Sequence, residues 1–349
     1  MLLLGPTPSD HPSRIGGTTT SFSLLAAYLR ERDPALKVVS TNRWRLPAER
    51  IVNALDVLLR CAVGVPRADV VMLNANPAGA VVLGPLIHAY CRLWRRPFVF
   101  RMFGGDLIEV VDALPRWLRA VFERTVLRAD LVLLQTQRLV SHFQRAGRRV
   151  AWLPNARPPP DVRRPTGAYA RRLVFVGTIR ASKGVDAVLR FRERHRATHE
   201  VHLYGPIAEA AYRWLEHDED YRGVAKPDEI LLALADHDLL LLPTRHPGEG
   251  YPGVVIEANS VGLPVVATRW LGIPELVHDG ENGLLVAPGD DAAFEEAILS
   301  IDDARFQRMS AAALSRARTF ETTEVYATML DRIAALRRPD ADAAAPGTR

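Results

Sequence analysis

The chain has 349 residues, of which 48% are hydrophobic and 24% charged. This length is typical of two domains, and the apolar share excludes a disordered, collagenous or low-complexity chain. The charge is uneven, because residues 1–157 contain 22 Lys and Arg against 11 Asp and Glu, which gives +11, whereas the remainder carries −6.

Short apolar runs alternate with amphipathic stretches along the whole chain. The first series predicts six strands: Leu2–Leu4, Lys37–Ser40, Val70–Leu73, Pro97–Phe100, Leu131–Leu134 and Val150–Leu153. A second series predicts five more: Arg172–Gly177, Val201–Gly205, Leu239–Pro243, Pro264–Ala267 and Gly283–Val286. Continuous apolar strands separated by helices indicate an α/β protein with two doubly wound parallel sheets, buried on both faces.

A proline-rich segment, residues 154–160, separates the two series, and consecutive prolines exclude a helix interior or a central strand. We therefore predict a first domain at 1–156, a linker at 157–170 and a second domain at 171–322. Two helical stretches are predicted near the end, Ala292–Arg318 and Thr323–Arg338. The latter could pack back on the first domain, and 339–349 is predicted to be a flexible tail.

Ligands of open parallel sheets bind at the carboxyl ends of the strands, so the cleft between the domains is the expected site. The strongest motif there is Pro247–Ala258, a Gly/Pro loop that opens a helix near Gly253. Free amides at a helix start suit a phosphate. Glu249 and Glu257 can accept hydrogen bonds from the hydroxyls of a sugar or ribose, which favours a nucleotide-sugar.

Three further loops follow predicted strands. In Gly177–Gly184, Arg180 and Lys183 suit a pyrophosphate leaving group, and this loop is not a Walker motif because Lys183 precedes the glycine. In Ser13–Thr20, Gly16 and Gly17 allow close approach to a ligand, and the threonines can cap the next helix. Arg101–Asp106 predicts a cleft-facing loop with one guanidinium and one carboxylate.

These motifs together resemble the retaining glycosyltransferases of family 4, which have the two-domain GT-B fold. Glu249 and Glu257 match the E-x7-E signature, and the segments Ala258–Thr268, Gly272–Val277 and Asn282–Val286 continue in the family's manner. Pro154–Ala156 looks like the family's Pro-Asn-Gly, and Lys183–Gly184 like its Lys-Gly. The resemblance covers residues 1–338 and is densest from Gly177 to Val286.

The resemblance implies a sugar nucleotide bound mainly by the second domain and an acceptor bound by the first. It implies that Glu257 binds ribose, Glu249 the donor sugar and Lys183 the diphosphate, and that the anomeric configuration is retained without a carboxylate nucleophile. The predicted donor-binding residues are Gly16, Gly17, Gly177, Thr178, Lys183, Glu249, Gly250, Tyr251, Pro252, Gly253, Val254 and Glu257. The predicted catalytic residues are Lys183, Glu249, Arg180 and Asp106.

The sequence departs from the family pattern at two places. Phe103 stands where members commonly have His, and Thr178 stands where they have Arg ahead of Lys-Gly, with Arg180 two residues later. Neither a metal nor a resident cofactor is expected, since the nucleotide diphosphate sugar is a substrate. We expect a hexosyltransferase of polysaccharide biosynthesis, with a sugar-nucleotide epimerase and a non-catalytic nucleotide-sugar-binding module as alternatives.

For several of these residues a purely structural role is an alternative to the functional one. Gly16–Gly17 can be a plain turn, Asp106 a helix N-cap, Arg101 the partner of a structural acid and His246 a bystander of the Glu249 loop. His195 and His199 are predicted on an exposed polar helix face, and Cys61 and Cys91 as buried thiols.

The cellular setting follows from the same composition. The apolar stretch at 78–91 is too short to span a bilayer, and the N-terminus has no basic segment of a signal peptide, so we expect a cytoplasmic protein. The basic first half adds the hypothesis of an anionic or lipid-linked acceptor met at a membrane surface. Nucleic acid is not an expected partner, because a base-stacking platform of interleaved tryptophan and arginine is not seen at Trp94, Trp117, Trp152, Trp214 and Trp270.

Overall fold

The computed structural model describes residues 1–8, 16–42, 49–144, 148–162 and 167–337. It contains two parallel sheets, as predicted, with helices on both faces. The strands of the first sheet lie in the order Lys37–Ser40, Leu2–Gly5, Val71–Ala75, Phe98–Met102, Leu131–Leu134 and Val150–Trp152. Those of the second lie in the order Gly283–Val286, Val265–Thr268, Leu239–Leu242, Arg172–Val176 and Glu200–Tyr204. The predicted tail at 339–349 and residues Ser13–Ile15 of the first glycine loop lie outside the described residues.

The first sheet and its helices account for the chain up to the proline-rich segment. Its strands are β1 Leu2–Gly5, β2 Lys37–Ser40, β3 Val71–Ala75, β4 Phe98–Met102, β5 Leu131–Leu134 and β6 Val150–Trp152. Its helices are α1 Gly17–Arg30, α2 Glu49–Gly64, α3 Pro77–Leu93, α4 Leu107–Ala113, α5 Arg116–Arg124 and α6 Gln137–Phe143. Short 3-10 helices follow α2 at Val65–Arg67 and α5 at Val126–Arg128.

Leucine-rich runs form these strands because both faces of the sheet are covered. Leu2 and Leu4 face the core beneath α2, α3 and α5, whereas Leu3 faces the opposite core, which contains Phe22 of α1. Successive side chains of one strand thus point into two different cores. Every residue of the strand is buried, and for this reason its sequence is apolar without interruption.

The second sheet repeats this architecture. Its strands are β7 Arg172–Val176, β8 Glu200–Tyr204, β9 Leu239–Leu242, β10 Val265–Thr268 and β11 Gly283–Val286. Its helices are α7 Val185–His195, α8 Pro227–Ala235, α9 Gly253–Val261, α10 Ile273–Leu276, α11 Asp291–Leu299 and α12 Asp303–Ala317, with 3-10 helices at Ala181–Lys183, Ala210–His217 and Arg318–Phe320. All eleven predicted strands are confirmed within two residues at either end.

The prediction of one continuous helix from Ala292 to Arg318 is wrong. Two helices, α11 and α12, replace it, because the side chain of Asp302 accepts a hydrogen bond from the amide of Arg305 at 2.7 Å and so starts a new helix. An aspartate with this bond is a strong helix N-cap, and the preceding turn ends α11.

The last described helix, α13 (Thr322–Arg337), returns to the first sheet. Its residues Tyr326, Met329 and Ile333 are buried in the core that contains Leu3 and Phe22. The chain therefore crosses between the two sheets twice, at the proline-rich segment and again before α13. No helix of the described residues combines the length and apolarity that a membrane span needs.

Candidate functional site

A cleft with a volume of ≈ 510 Å³ lies between the carboxyl ends of the two sheets. Residues from both domains line it, in accordance with the position expected for open parallel sheets. The structure brings into this cleft every residue that the sequence singled out for donor binding or catalysis: Gly16, Gly17, Asp106, Gly177, Thr178, Arg180, Lys183, Glu249, Gly250, Tyr251, Pro252, Gly253, Val254 and Glu257.

Lys183 and Glu249 form an ion pair in the second domain's wall of the cleft. The Nζ of Lys183 donates to Oε2 of Glu249 at 2.5 Å, and the hydroxyl of Thr244 donates to the same oxygen at 3.0 Å. Gly184, which follows the lysine, has φ +77°, and a Cβ on it would lie 2.1 Å from the carbonyl oxygen of Pro243. This position therefore requires glycine, and the tight turn places the preceding lysine at the cleft.

The helix α9 begins at Gly253, as predicted, with its free amides towards the cleft. Glu257 lies one turn later, and its Oε1 accepts a hydrogen bond at 2.5 Å from Nε of Arg157. A Cβ on Gly253 would lie 1.8 Å from Nη2 of this arginine, so the guanidinium packs directly against the start of α9. The cleft thus contains a largely buried ion pair between the linker and α9.

Sequence reasoning missed Arg157 as a site residue. It follows Pro154–Ala156 in the linker, and its main chain bonds to Phe320 and Thr322 just before α13. Its Nη1 also donates to the hydroxyl of Ser21 in α1 at 3.3 Å. Its partner Glu257 is 100 residues away, so no local spacing could have indicated the pair.

Arg180 lines the cleft beside Thr178, but it is also close to an acid. Its Nε lies 3.7 Å from Oε1 of Glu209, and Oε2 of that glutamate accepts from the amide of Ala181 at 3.0 Å. The arginine is more than one-third exposed, so this pair constrains it weakly. Arg180 is therefore available to an anion that enters the cleft.

Asp106 lies on the first domain's wall of the cleft, immediately before α4. It is the N-cap residue of α4 by position, but its side chain makes no capping hydrogen bond. Burial raises its pKa, and the nearby carboxylate of Glu109 raises it further. Oδ1 is buried without a hydrogen-bond partner among the described residues. An acid that is harder to ionise and incompletely bonded is a candidate to contact substrate.

Two expectations for Arg101 are wrong. It belongs to strand β4 and is 1% exposed, so its guanidinium does not line the cleft. Nor is it paired with an acid among the described residues, because both terminal nitrogens lack hydrogen-bond partners there and the group lies over the ring of Phe103 at 4.7 Å. Strand β4 extends two residues beyond its predicted end, and Arg101 lies in this extension with its side chain in the core.

Gly16 and Gly17 line the cleft at the start of α1, and a Cβ on either would meet nothing within 4 Å. The predicted capping by the threonine run is confirmed for Thr19, which lies in the first turn of α1 after the N-cap residue Gly16. The hydroxyl of Thr19 accepts a hydrogen bond from the amide of Gly16 at 3.1 Å. The main chain therefore has open space beside it for a ligand.

Contacts between the domains hold the Glu249 loop against the first sheet. Oε1 of Gln135 accepts from the amide of Tyr251 at 3.1 Å, and Asn155 donates to the carbonyl of Tyr251 at 2.7 Å. Glu275 accepts from the amides of Gln137 at 2.6 Å and Arg138 at 3.0 Å, at the start of α6.

The hydroxyl of Tyr251 also bonds to Glu275, and its ring packs edge-on against Trp152 and Phe320. The tyrosine side chain is therefore part of the domain interface. Its backbone is the part that can contact a donor.

The three histidines considered in the sequence analysis differ in their burial and hydrogen bonds. Nδ1 of His246 lies 3.2 Å from the hydroxyl of Ser182 at the cleft, and burial together with Lys183 lowers its pKa. The expectation of an exposed face for His195 and His199 is wrong for His199, which is buried with a pKa lowered to about 4 by burial. His195 bonds to Glu295 at 2.9 Å.

Cys61 and Cys91 are free and buried, as predicted.

Comparison with known families finds a sequence match in the second domain. The family described as "Glycosyl transferases group 1" matches residues 170–303. D-inositol 3-phosphate glycosyltransferase of Corynebacterium diphtheriae is 28% identical over 170 residues, which are 44% of this chain and 39% of that protein. The putative colanic acid biosynthesis glycosyltransferase WcaL of Salmonella typhimurium is 43% identical over 75 residues, 20% of this chain and 18% of that protein. The chain thus matches about two fifths or less of the length of these relatives.

Solved structures resemble the whole chain. Anabaena HepE in complex with UDP aligns with a TM-score of 0.72 at 18% identity, covering 96% of this chain and 100% of that one. Sucrose-phosphate synthase of Thermosynechococcus elongatus aligns with a TM-score of 0.73 at 16% identity, covering 96% and 98%. At these identities the likeness establishes the architecture. The chain has the GT-B fold of these proteins, and its residues 170–303 are similar in sequence to the glycosyl transferases group 1 family.

Proposed function

We propose that this protein is a retaining glycosyltransferase that moves a sugar, in particular a hexose, from a nucleotide diphosphate sugar to a saccharide, lipid-linked or small-molecule acceptor. The observation that carries the proposal is the cleft itself, where the Lys183–Glu249 pair and the start of α9 lie side by side. Its support outside this chain is that HepE has been solved in complex with UDP and with UDP-glucose, and that the matched relatives are glycosyltransferases.

The proposed donor site lies on the second domain. The diphosphate binds the amides at Gly253, whose partial positive charge favours an anion. Lys183 and Arg180 stabilise the additional charge on the diphosphate as it leaves. Glu257 binds the ribose hydroxyls with the oxygen that Arg157 does not occupy. Glu249 binds a hydroxyl of the sugar through Oε1, since Oε2 is held by Lys183 and Thr244.

The proposed reaction needs no protein nucleophile. The acceptor oxygen forms its bond to the anomeric carbon on the face from which the diphosphate departs. The bond between that carbon and the phosphate oxygen breaks, its electron pair remains on the diphosphate, and a phosphate oxygen takes the acceptor proton. Asp106, on the opposite wall, positions the acceptor or the sugar by a hydrogen bond. Neither a metal nor a resident cofactor is part of this proposal.

The test is a panel of UDP-, GDP- and ADP-sugars with the full chain. We expect one nucleotide class to raise the melting temperature and its sugar to be released or transferred, with free nucleotide as a product. The anomeric configuration of the product, measured by NMR coupling constants, tests retention. Conversion of the donor without nucleotide release would identify an epimerase, and stabilisation without any turnover would identify a binding module. Neither stabilisation nor turnover with any donor would refute the proposal.

A further inference from the structure

Three helices of the first domain expose large apolar side chains. Helices α2, α3 and α5 pack on the same face of the first sheet, and α3 contacts both of the others. Of the fifteen large hydrophobic residues that are exposed in the described part of the chain, ten lie on these helices or directly after α3: Val52, Leu55, Leu59, Val63, Val82, Leu86, Leu93, Trp94, Trp117 and Val121. The other five are scattered over separate elements of the second domain. We call the ten residues the α2–α3–α5 surface.

The exposed apolar residues form stripes rather than isolated positions. At 100° per residue, the four on α2 fall within about 80° of one another, on the side opposite the buried Val57 and Cys61. On α3, Val82, Leu86 and Leu93 likewise lie opposite the buried Cys91. A helix at the surface of a monomeric protein normally has a polar outer side. A second apolar stripe on neighbouring helices marks a contact surface for something outside the domain.

Arginines surround these stripes. Exposed arginines without an ion pair to any described residue are Arg67 after α2, Arg92 and Arg95 at the end of α3, and Arg116 and Arg124 on α5. On α5, Arg124 falls on the same stripe as Trp117 and Val121. By contrast, Arg60 and Arg119 have acidic partners close by. The surface therefore combines apolar side chains with uncompensated positive charge.

We propose that the α2–α3–α5 surface docks on an anionic lipid bilayer. A bilayer presents negative headgroups above an apolar interior, which matches arginines around exposed Leu, Val and Trp side chains. Tryptophan and the long stem of arginine suit the boundary between these two layers. Helix α3 starts at the cleft with Pro77 and is about 25 Å long, so docking holds the cleft near the bilayer. The docking does not require the proposed transfer reaction, so either can fail without the other.

The experiment is sedimentation of the full chain with vesicles of phosphatidylcholine alone or with phosphatidylglycerol. We expect binding to the anionic vesicles at least tenfold tighter than to the neutral ones, and weaker binding as salt rises. Arg92→Gln with Arg95→Gln should weaken the binding by about fivefold per arginine removed. Leu55→Gln with Leu59→Gln should weaken it tenfold or more at any salt concentration, because the apolar contact is lost.

The matched control is Leu232→Gln on α8, which is similarly exposed in the second domain and should leave binding unchanged. The variants alter exposed side chains, and unchanged melting temperatures would show that they fold. Absence of binding to anionic vesicles, or equal binding by wild type and both double variants, overturns the proposal. So does a concentration-dependent dimer in lipid-free solution that the Leu55 and Leu59 substitutions dissociate, since a second copy would then be the occupant.

Discussion

The ion pair between Lys183 and Glu249 allows a structural role to be separated from a catalytic one. Their side chains are 18% and 7% exposed, and the charged atoms are 2.5 Å apart. Exposed pairs contribute at most about 1 kcal/mol, and breaking a fully buried pair costs about 3–5 kcal/mol. We therefore expect Lys183→Met to lower the free energy of unfolding by about 2 kcal/mol, measured by urea denaturation.

Turnover should fall by much more than this stability loss can explain. Removal of one preorganised group that stabilises developing charge lowers kcat by about 10²- to 10³-fold. A domain with an unfolding free energy of at least about 5 kcal/mol stays more than about 99% folded after a loss of 2 kcal/mol. A slower rate of sugar transfer or donor hydrolysis by Lys183→Met would therefore reflect the lost cation at the diphosphate.

The double variant Lys183→Met with Glu249→Gln makes this test decisive. It removes the uncompensated buried carboxylate, so we expect part of the stability to return, with a coupling of about 1–2 kcal/mol, while turnover stays low. Lys226→Met is the matched control, because that lysine is 77% exposed and should affect neither quantity. If the double variant regains both stability and turnover, the pair is only structural and our reasoning is wrong.

Three other predictions concern packing, titration and the domain contact. Gly253→Ala should cost about 1–3 kcal/mol of stability, because its Cβ would lie 1.8 Å from Nη2 of Arg157, and an equal cost in an Arg157→Met background would contradict this. Burial lowers the pKa of His199 from 6.5 to about 4, so the folded state resists protonation and stability should fall by about 2 kcal/mol from pH 7.5 to pH 5. A His199→Gln variant with the same pH dependence in urea titrations would assign the loss to other groups. Glu275→Gln should cost about 1–3 kcal/mol, since the carboxylate accepts two amide hydrogen bonds across the domains, and an unchanged urea midpoint would argue against that contact.

The strands and most of the cleft could be predicted because their signals are local. A run such as Leu239–Leu242 is apolar throughout because both its faces are covered, and a loop that follows such a run lies at the ligand edge of its sheet. Gly253 could be assigned to a helix start for the same reason. The incorrect prediction of one helix from Ala292 to Arg318 shows where composition is insufficient. The sequence is helical in composition throughout, but a single N-cap residue, Asp302, divides it into two helices.

The contacts between the domains could not be read from the sequence. Glu275 and Gln137 are 138 residues apart, and Arg157 and Glu257 are 100 apart, so no spacing along the chain relates them. Arg101 was misplaced for a related reason. A charged side chain after an apolar run normally marks the end of the strand, and here the guanidinium is instead covered by the ring of Phe103 in the core between the sheet and α1 and α13.

The paired charges of the cleft also indicate what holds an anion there. Three cations that line it each lie beside a carboxylate of the same chain: Lys183 with Glu249, Arg157 with Glu257 and Arg180 with Glu209. The two largely buried pairs, at Lys183 and Arg157, offset much of the charge that these side chains offer a diphosphate, whereas the exposed pair at Arg180 offsets it weakly. The helices that start at Gly17, Pro77 and Gly253 have no acidic residue in their first turns, and these starts line the cleft with the positive ends of the helix dipoles. Main-chain amides therefore contribute to holding the anion in the proposed donor site, and Lys183 and Arg180 act on the charge that develops as the diphosphate leaves, which explains why glycine-rich motifs accompany these cations.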